Sequence, residues 1–187
     1  MVQAPVKPLT LDAFLTRPET KPASEYIEGY IFQKPMPQGK HSTLQTELAS
    51  EINGVLKRNR LGKAFTELRC TFGGRSTVPD IAVFTGARIP RDASGAVADR
   101  FELAPDWTIE ILSPEQSPTR VTKNILHCLA NQTQMGWLID PVAESVLVYS
   151  PPCQVEVFDQ TDIKLPVPEF AAPFEVTVGE LFGWLFA

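Results

Sequence analysis

The chain has 187 residues, 43% of them hydrophobic, and a formal net charge of −5. That is enough apolar material for one well-packed domain and too little for two, and an acidic chain lacks the global basic field of a protein that coats nucleic acid. Cys70, Cys128 and Cys153 are scattered, odd in number and without a CxxC pair, which excludes a disulfide framework and a zinc site of the usual spacing.

The start, MVQAPVKPLTLDAF, lacks the apolar core of a signal peptide, and no run of 18 apolar residues follows it. A cytoplasmic protein without a membrane partner is expected. LTLDAFLTRP predicts a short helix with Thr10 as N-cap, and EYIEGYIFQKP a strand pair turning at Glu28-Gly29. From Ser42 to Arg58, Leu44, Leu48, Ile52, Val55 and Leu56 recur at helical steps, and Gly62 is expected to end that region. AFTELRCTFGG reads as one strand and VPDIAVFTG as another, begun by Pro79.

GARIPRDASGAVADR is polar and rich in small residues, hence a loop. DWTIEIL is a strand, SPEQSPTR a turn, and a helix follows from about Pro118 to Gln132. GWLIDP and ESVLVYSP predict two strands joined at Asp140-Pro141. The closing VGELFGWLFA reads as an amphipathic helix whose Leu181, Phe182, Trp184, Leu185 and Phe186 seal the core. The elements describe a mixed α/β (α+β) layout around one central sheet. A single domain over 1–187 is expected, with a core at about 41–150 and extensions at both ends.

Two acids stand in apolar strand contexts, Asp80 in VPDIAVF and Glu110 in WTIEIL. Neighbouring strands lie about 4.8 Å apart, so two inward-leaning carboxylates there can share one ion. Oxygen ligands suit Mg²⁺ or Mn²⁺, which polarise a phosphodiester and lower the pKa of a bound water. The plainer readings are turn chemistry for Asp80, and for Glu110 a strand edge or an ion pair to Arg69 or Arg120.

Pro-Asp followed by a glutamate inside the next strand resembles the PD-(D/E)xK nuclease superfamily. More narrowly the chain is similar to the Uma2 family of restriction-endonuclease-like proteins. The likeness runs through LTLDAFL, EYIEGYIFQKPMPQGKHS, VPDIAVF, APDWTIEILSPEQSP, the helix carrying Lys123, and GWLIDP. It implies a restriction endonuclease-like core, a central mixed sheet flanked by helices, and a Mg²⁺-dependent phosphodiesterase site acting on DNA. Asp80 and Glu110 would be metal ligands and the Ile111 carbonyl a third oxygen.

The superfamily lysine two residues after the glutamate is absent, since Leu112 stands there. Lys123 on the next helix fits the position where the family carries its lysine, and would activate the attacking water. His41 in QGKHS matches a family histidine, which could bind phosphate, stabilise the leaving oxygen or serve in acid/base chemistry. Glu25, and from the helix Glu47 or Glu51, are candidate further acids. A homodimer follows from analogy with enzymes that cut two strands. Arg69, Arg75, Arg88, Arg91 and Arg100 could gather around a cleft to meet a polyanion.

Two other readings remain open at this point. A nuclease relative without turnover, binding DNA or a protein, is suggested by Leu112 and by the acidic balance, and predicts Lys123 pointing away from Asp80. A structural oligomerisation domain is suggested only by the aromatic tail.

Overall fold

A computed structural model describes residues 9–114 and 116–186. Glu115, within the turn expected at SPEQSPTR, and the outermost ends of the expected 1–187 domain lie outside the described residues. Helix α1 (Leu11–Leu15) is capped by the Thr10 side chain, which accepts from the Ala13 N–H at 3.2 Å. Strands β1 (Ser24–Ile27) and β2 (Tyr30–Gln33) form the expected hairpin. Its two turn residues, Glu28 and Gly29, have φ of 53° and 90°, the pair of positive values that a two-residue hairpin turn requires.

Helix α2 (Gly39–Arg58) follows, with Leu44, Leu48, Ile52 and Leu56 fully buried along one stripe. Each such side chain contributes about 1.5–3 kcal/mol by leaving water. The helix ends at the Asn59 cap, and Gly62 opens the next strand instead of terminating the helix. The segment expected as one strand is two, β3 (Gly62–Thr66) and β4 (Cys70–Phe72). Glu67 breaks it with a φ of 49°, outside any strand conformation.

The remaining elements are β5 (Arg75–Thr77), β6 (Ile81–Thr85), β7 (Trp107–Ile111), α3 (Pro118–Ala130), β8 (Met135–Asp140), β9 (Ser145–Ser150), β10 (Gln154–Phe158) and α4 (Val178–Gly183). They make two sheets where one was expected. The larger is mixed and six-stranded, in the order β10-β9-β8-β7-β6-β3, and the smaller has the order β2-β1-β5-β4. Among the described strands only β7 and β8 pair in parallel, and α3 is the crossover between them. The architecture is α+β, a mixed sheet flanked by helices, as expected.

One face of the large sheet, carrying Ile81, Val83, Ile109, Ile111, Trp137 and Ile139, packs on α2 and on the C-terminal Leu181 and Phe182. Trp184 and Leu185 border that core, whereas Phe186 is 83% exposed and does not seal it. The opposite face meets α3 through Val121, Ile125 and Leu138. No described helix is long and apolar enough to cross a membrane.

Gly136 sets the distance of α3 from the sheet, because a Cβ there would lie 2.3 Å from Cγ2 of Ile125. Gly136→Ala is expected to cost about 1–3 kcal/mol by overpacking. The same substitution in an Ile125→Ala background should cost little. Urea denaturation of the four proteins in that cycle measures the difference.

Candidate active site

The β6–β7 register sets Ile81 opposite Ile109, so Asp80 and Glu110 stand opposite each other one step further on. Residues 109 and 111 turn their backbone groups toward β6, because the Leu112 N–H bonds instead to Ile139 of β8 at 2.8 Å. Asp80 and Glu110 therefore occupy a position without ladder bonds, where side chains approach most closely. Both are buried, at 1% and 3% exposure. Two like charges so placed repel, and neither has water to screen it.

The compensating cation is Lys34, just after β2. Its Nζ lies 2.6 Å from Asp80 Oδ1 and 3.4 Å from Glu110 Oε2, and donates to the Val78 carbonyl at 2.8 Å. Burial alone would push this ammonium toward neutrality, but Asp80, Glu110 and Glu25 outweigh it and hold the pKa well above the lysine range. For Asp80, burial is likewise overcome, by Lys34 and by the hydrogen bond and charge of His41, so the carboxyl stays below the usual carboxylate range. Glu110 goes the other way. Its burial, reinforced by Asp80 and Glu25, exceeds the pull of Lys34 and raises its pKa.

Further groups fix Asp80. Its Oδ2 accepts the Ile111 N–H at 2.7 Å and lies 3.1 Å from His41 Nε2, while Gln45 donates to its backbone carbonyl at 2.8 Å. His41 and Gln45 come from the first turns of α2, which aims at the end of β6. His41 Nδ1 is buried with no hydrogen-bond partner in the protein. Glu25 is buried, and its two oxygens accept from the Val78 N–H at 2.9 Å and from Asn124 Nδ2 at 3.0 Å. It thereby ties the hairpin to the Asp80 segment and to α3. A void of about 30 Å³ between Glu25, Lys34, Glu110 and Asn124 has room for a water. On the other side, a cleft of about 450 Å³ opens from Lys34, His41 and Asp80 to solvent.

The structure thus brings together Asp80, Glu110, His41 and Glu25, with Ile111 beside them. It does not bring Lys123, which is exposed on α3 and lines a separate groove with Arg75 and Arg120. Glu47 and Glu51 are exposed on the outer side of α2. The partner of Glu110 is Lys34, not Arg69 or Arg120: Arg69 pairs with Glu19, and Arg120 lies over the Phe32 ring at 4.4 Å. Nor do the five arginines gather, since Arg88 is held by Asp106 and Arg75 by Glu28. Sequence reasoning missed Lys34, Gln45 and Asn124. The available signals were a lysine between two candidate acids in chain order, and polar residues on otherwise apolar helix faces.

The donor set fits a hard divalent cation. Asp80 and Glu110 already share one positive charge, and the register sets Pro79, which has no N–H, opposite the Ile111 carbonyl. Among the described residues no three His, Cys, Asp or Glu side chains converge as a metal-binding group. Two carboxylates and a carbonyl, with water or phosphate completing the shell, suit Mg²⁺ or Mn²⁺ and not zinc.

The family described as "Uma2: Putative restriction endonuclease" matches residues 11–179. The chain is also similar to a crystal structure, at 1.96 Å resolution, of a "putative nuclease belonging to DUF820" from Anabaena variabilis. The two are 62% identical over 95% of this chain and 99% of that one, with a TM-score of 0.94. No curated protein matches the chain.

Lys34→Met is expected to cost about 3–5 kcal/mol at pH 8, because it leaves two buried acids facing each other. Without Lys34 the raised pKa of Glu110 rises further, so the folded state binds the extra proton. Stability of the variant then falls as pH rises through that pKa, and the loss is smaller at pH 5. Adding Glu110→Gln should restore most of the stability and flatten the pH dependence. Urea titrations in EDTA at both pH values test this.

Proposed function

The chain belongs to the Uma2 family of restriction-endonuclease-like proteins, and on that footing we propose that it is a Mg²⁺- or Mn²⁺-dependent nuclease hydrolysing DNA phosphodiester bonds. The observation that carries this reading is the pair of opposed, buried carboxylates, Asp80 and Glu110, sharing one cation. Asp80, Glu110 and the Ile111 carbonyl would hold the metal. A divalent ion bound there supplies Lewis-acid polarisation of the phosphate and a water of lowered pKa.

The protein's own groups do the rest. Asp80, kept ionised, is held in place by the Ile111 N–H and His41. Lys34 takes the part expected of Lys123. Its flexible stem lets the ammonium leave the carboxylates for a phosphate oxygen, where it stabilises charge that develops in the transition state. His41 acts by positioning, since its Nε2 lies against Asp80 Oδ2 and its Nδ1 is buried. Glu25 acts by positioning, since both its oxygens are engaged.

One observation favours a second reading, a relative without turnover. Lys34 offsets one carboxylate charge and the raised pKa of Glu110 lessens the other, so the pair is largely compensated without a metal. Calorimetric Mn²⁺ titration and single-turnover cleavage of plasmid DNA separate the two. The nuclease reading expects Asp80→Ala and Glu110→Ala to lose metal binding and to slow cleavage by about 10²-fold or more. Lys34→Ala should bind Mn²⁺ more tightly yet cleave about 10²-fold more slowly, and Lys123→Ala should keep its rate at saturating DNA. Equal cleavage by wild type and both carboxylate variants, or no metal binding, overturns it. Metal binding without cleavage supports the second reading.

A further inference from the structure

A groove of about 640 Å³ lies between the β1–β2 hairpin and α3, in the size range of sites that enclose a ligand of drug or nucleotide size. Its lining is cationic in an acidic protein. Arg75, Arg120 and Lys123 face a single carboxylate, Glu28, which pairs with Arg75. Among the described residues Arg120 and Lys123 have no carboxylate within ion-pair distance.

The same groove is aromatic. Tyr30 and Phe32 stand two apart on β2 and so point to one face, with ring centroids 6.4 Å apart. Tyr30 is 67% exposed, and the Arg120 guanidinium covers Phe32 at 4.4 Å. His127, its pKa lowered by burial, adds a ring stacked on Phe72 at 5.0 Å and 18°. Nothing in the fold requires an exposed tyrosine beside unpaired cations.

We propose that this groove binds a single-stranded segment of a polynucleotide, with an unpaired base stacked on Tyr30 and backbone phosphates at Arg120 and Lys123. The choice of polynucleotide rests on the nuclease reading, while the choice of a single strand rests on the rings. Aromatic side chains can stack only on base faces that duplex neighbours do not already cover. The groove also borders the small void beside the carboxylates. Phe32, Arg120 and Asn124 line it and equally line the small void beside Glu110 and Lys34. On the hairpin, Phe32 is directly opposite Glu25.

The test is fluorescence anisotropy with a labelled single-stranded oligodeoxynucleotide and its duplex, in EDTA so that no cleavage occurs. The wild type should prefer the single strand by about ten-fold or more. Tyr30→Ala should weaken that binding about ten-fold, and Arg120→Ala/Lys123→Ala should weaken it and flatten the log–log salt slope by about 1.4. Lys164→Ala, which removes an exposed cation outside the groove, should bind like the wild type. Equal affinity for duplex and single strand, or groove variants that bind like the wild type, overturns the proposal. If the strand binds as expected but Mg²⁺ or Mn²⁺ elicits no cleavage, the groove stands and the nuclease reading falls. If cleavage occurs while the groove variants are indistinguishable from wild type, the reverse holds.

Discussion

Two carboxylates that face each other inside a protein need a cation between them, and the Asp80–Glu110 pair imposes that need on this fold. Antiparallel pairing of β6 and β7 puts the acids opposite each other, and burial removes the water that would screen them. The hairpin delivers Lys34, the start of α2 delivers His41 and Gln45, and α3 delivers Asn124 to Glu25. Three separate segments thus converge on one end of two strands. The small sheet, which contributes little to the main core, is what places the β2 end carrying Lys34 over the pair.

The same geometry drives the two acids apart in character. Asp80 gathers the Ile111 N–H, His41 and the closer approach of Lys34, and is held as a carboxylate. Glu110 has only the longer contact to Lys34 and feels both Asp80 and Glu25, so its proton is retained to higher pH. Environments that separate the pKa values of paired acids mark sites where protons and charge are handled. A divalent ion bound as proposed would compete with an ammonium that is already there. Metal affinity and the position of Lys34 are consequently linked.

Legibility in the sequence followed the range of the interaction. Helix periodicity in α2, the Glu28-Gly29 turn and the strand contexts of Asp80 and Glu110 are local patterns, and each was readable. Lys34 was not, because a lysine flanked by Gln33 and Pro35 in a turn looks like any solvated lysine. Its role depends on contacts 46 and 76 residues away. The division into two sheets was hidden for another reason. AFTELRCTFGG keeps a strand-like alternation across Glu67, and only the backbone reversal there sends its halves to different sheets. Lys123 shows the converse, a residue expected at the site that lines the neighbouring groove. It is near the site in sequence, but the turn of α3 that buries Asn124 faces its neighbour outward.

Leu112 stands where the superfamily motif has its lysine, and its surroundings fit the proposed supply of a lysine from the hairpin. It lies two residues after Glu110, on the same face of β7, where a lysine on that strand would stand. That face is covered by α3, and Leu112 packs against the cluster of Val121, Ile125, Leu138 and Tyr149. A lysine at position 112 would replace these apolar contacts with a charged stem. The hairpin approaches the carboxylates from the open side, where the cleft meets solvent, so Lys34 reaches them without passing through the core. The leucine and the hairpin lysine are therefore two halves of one arrangement, in which α3 closes one route to the acids and β2 opens another.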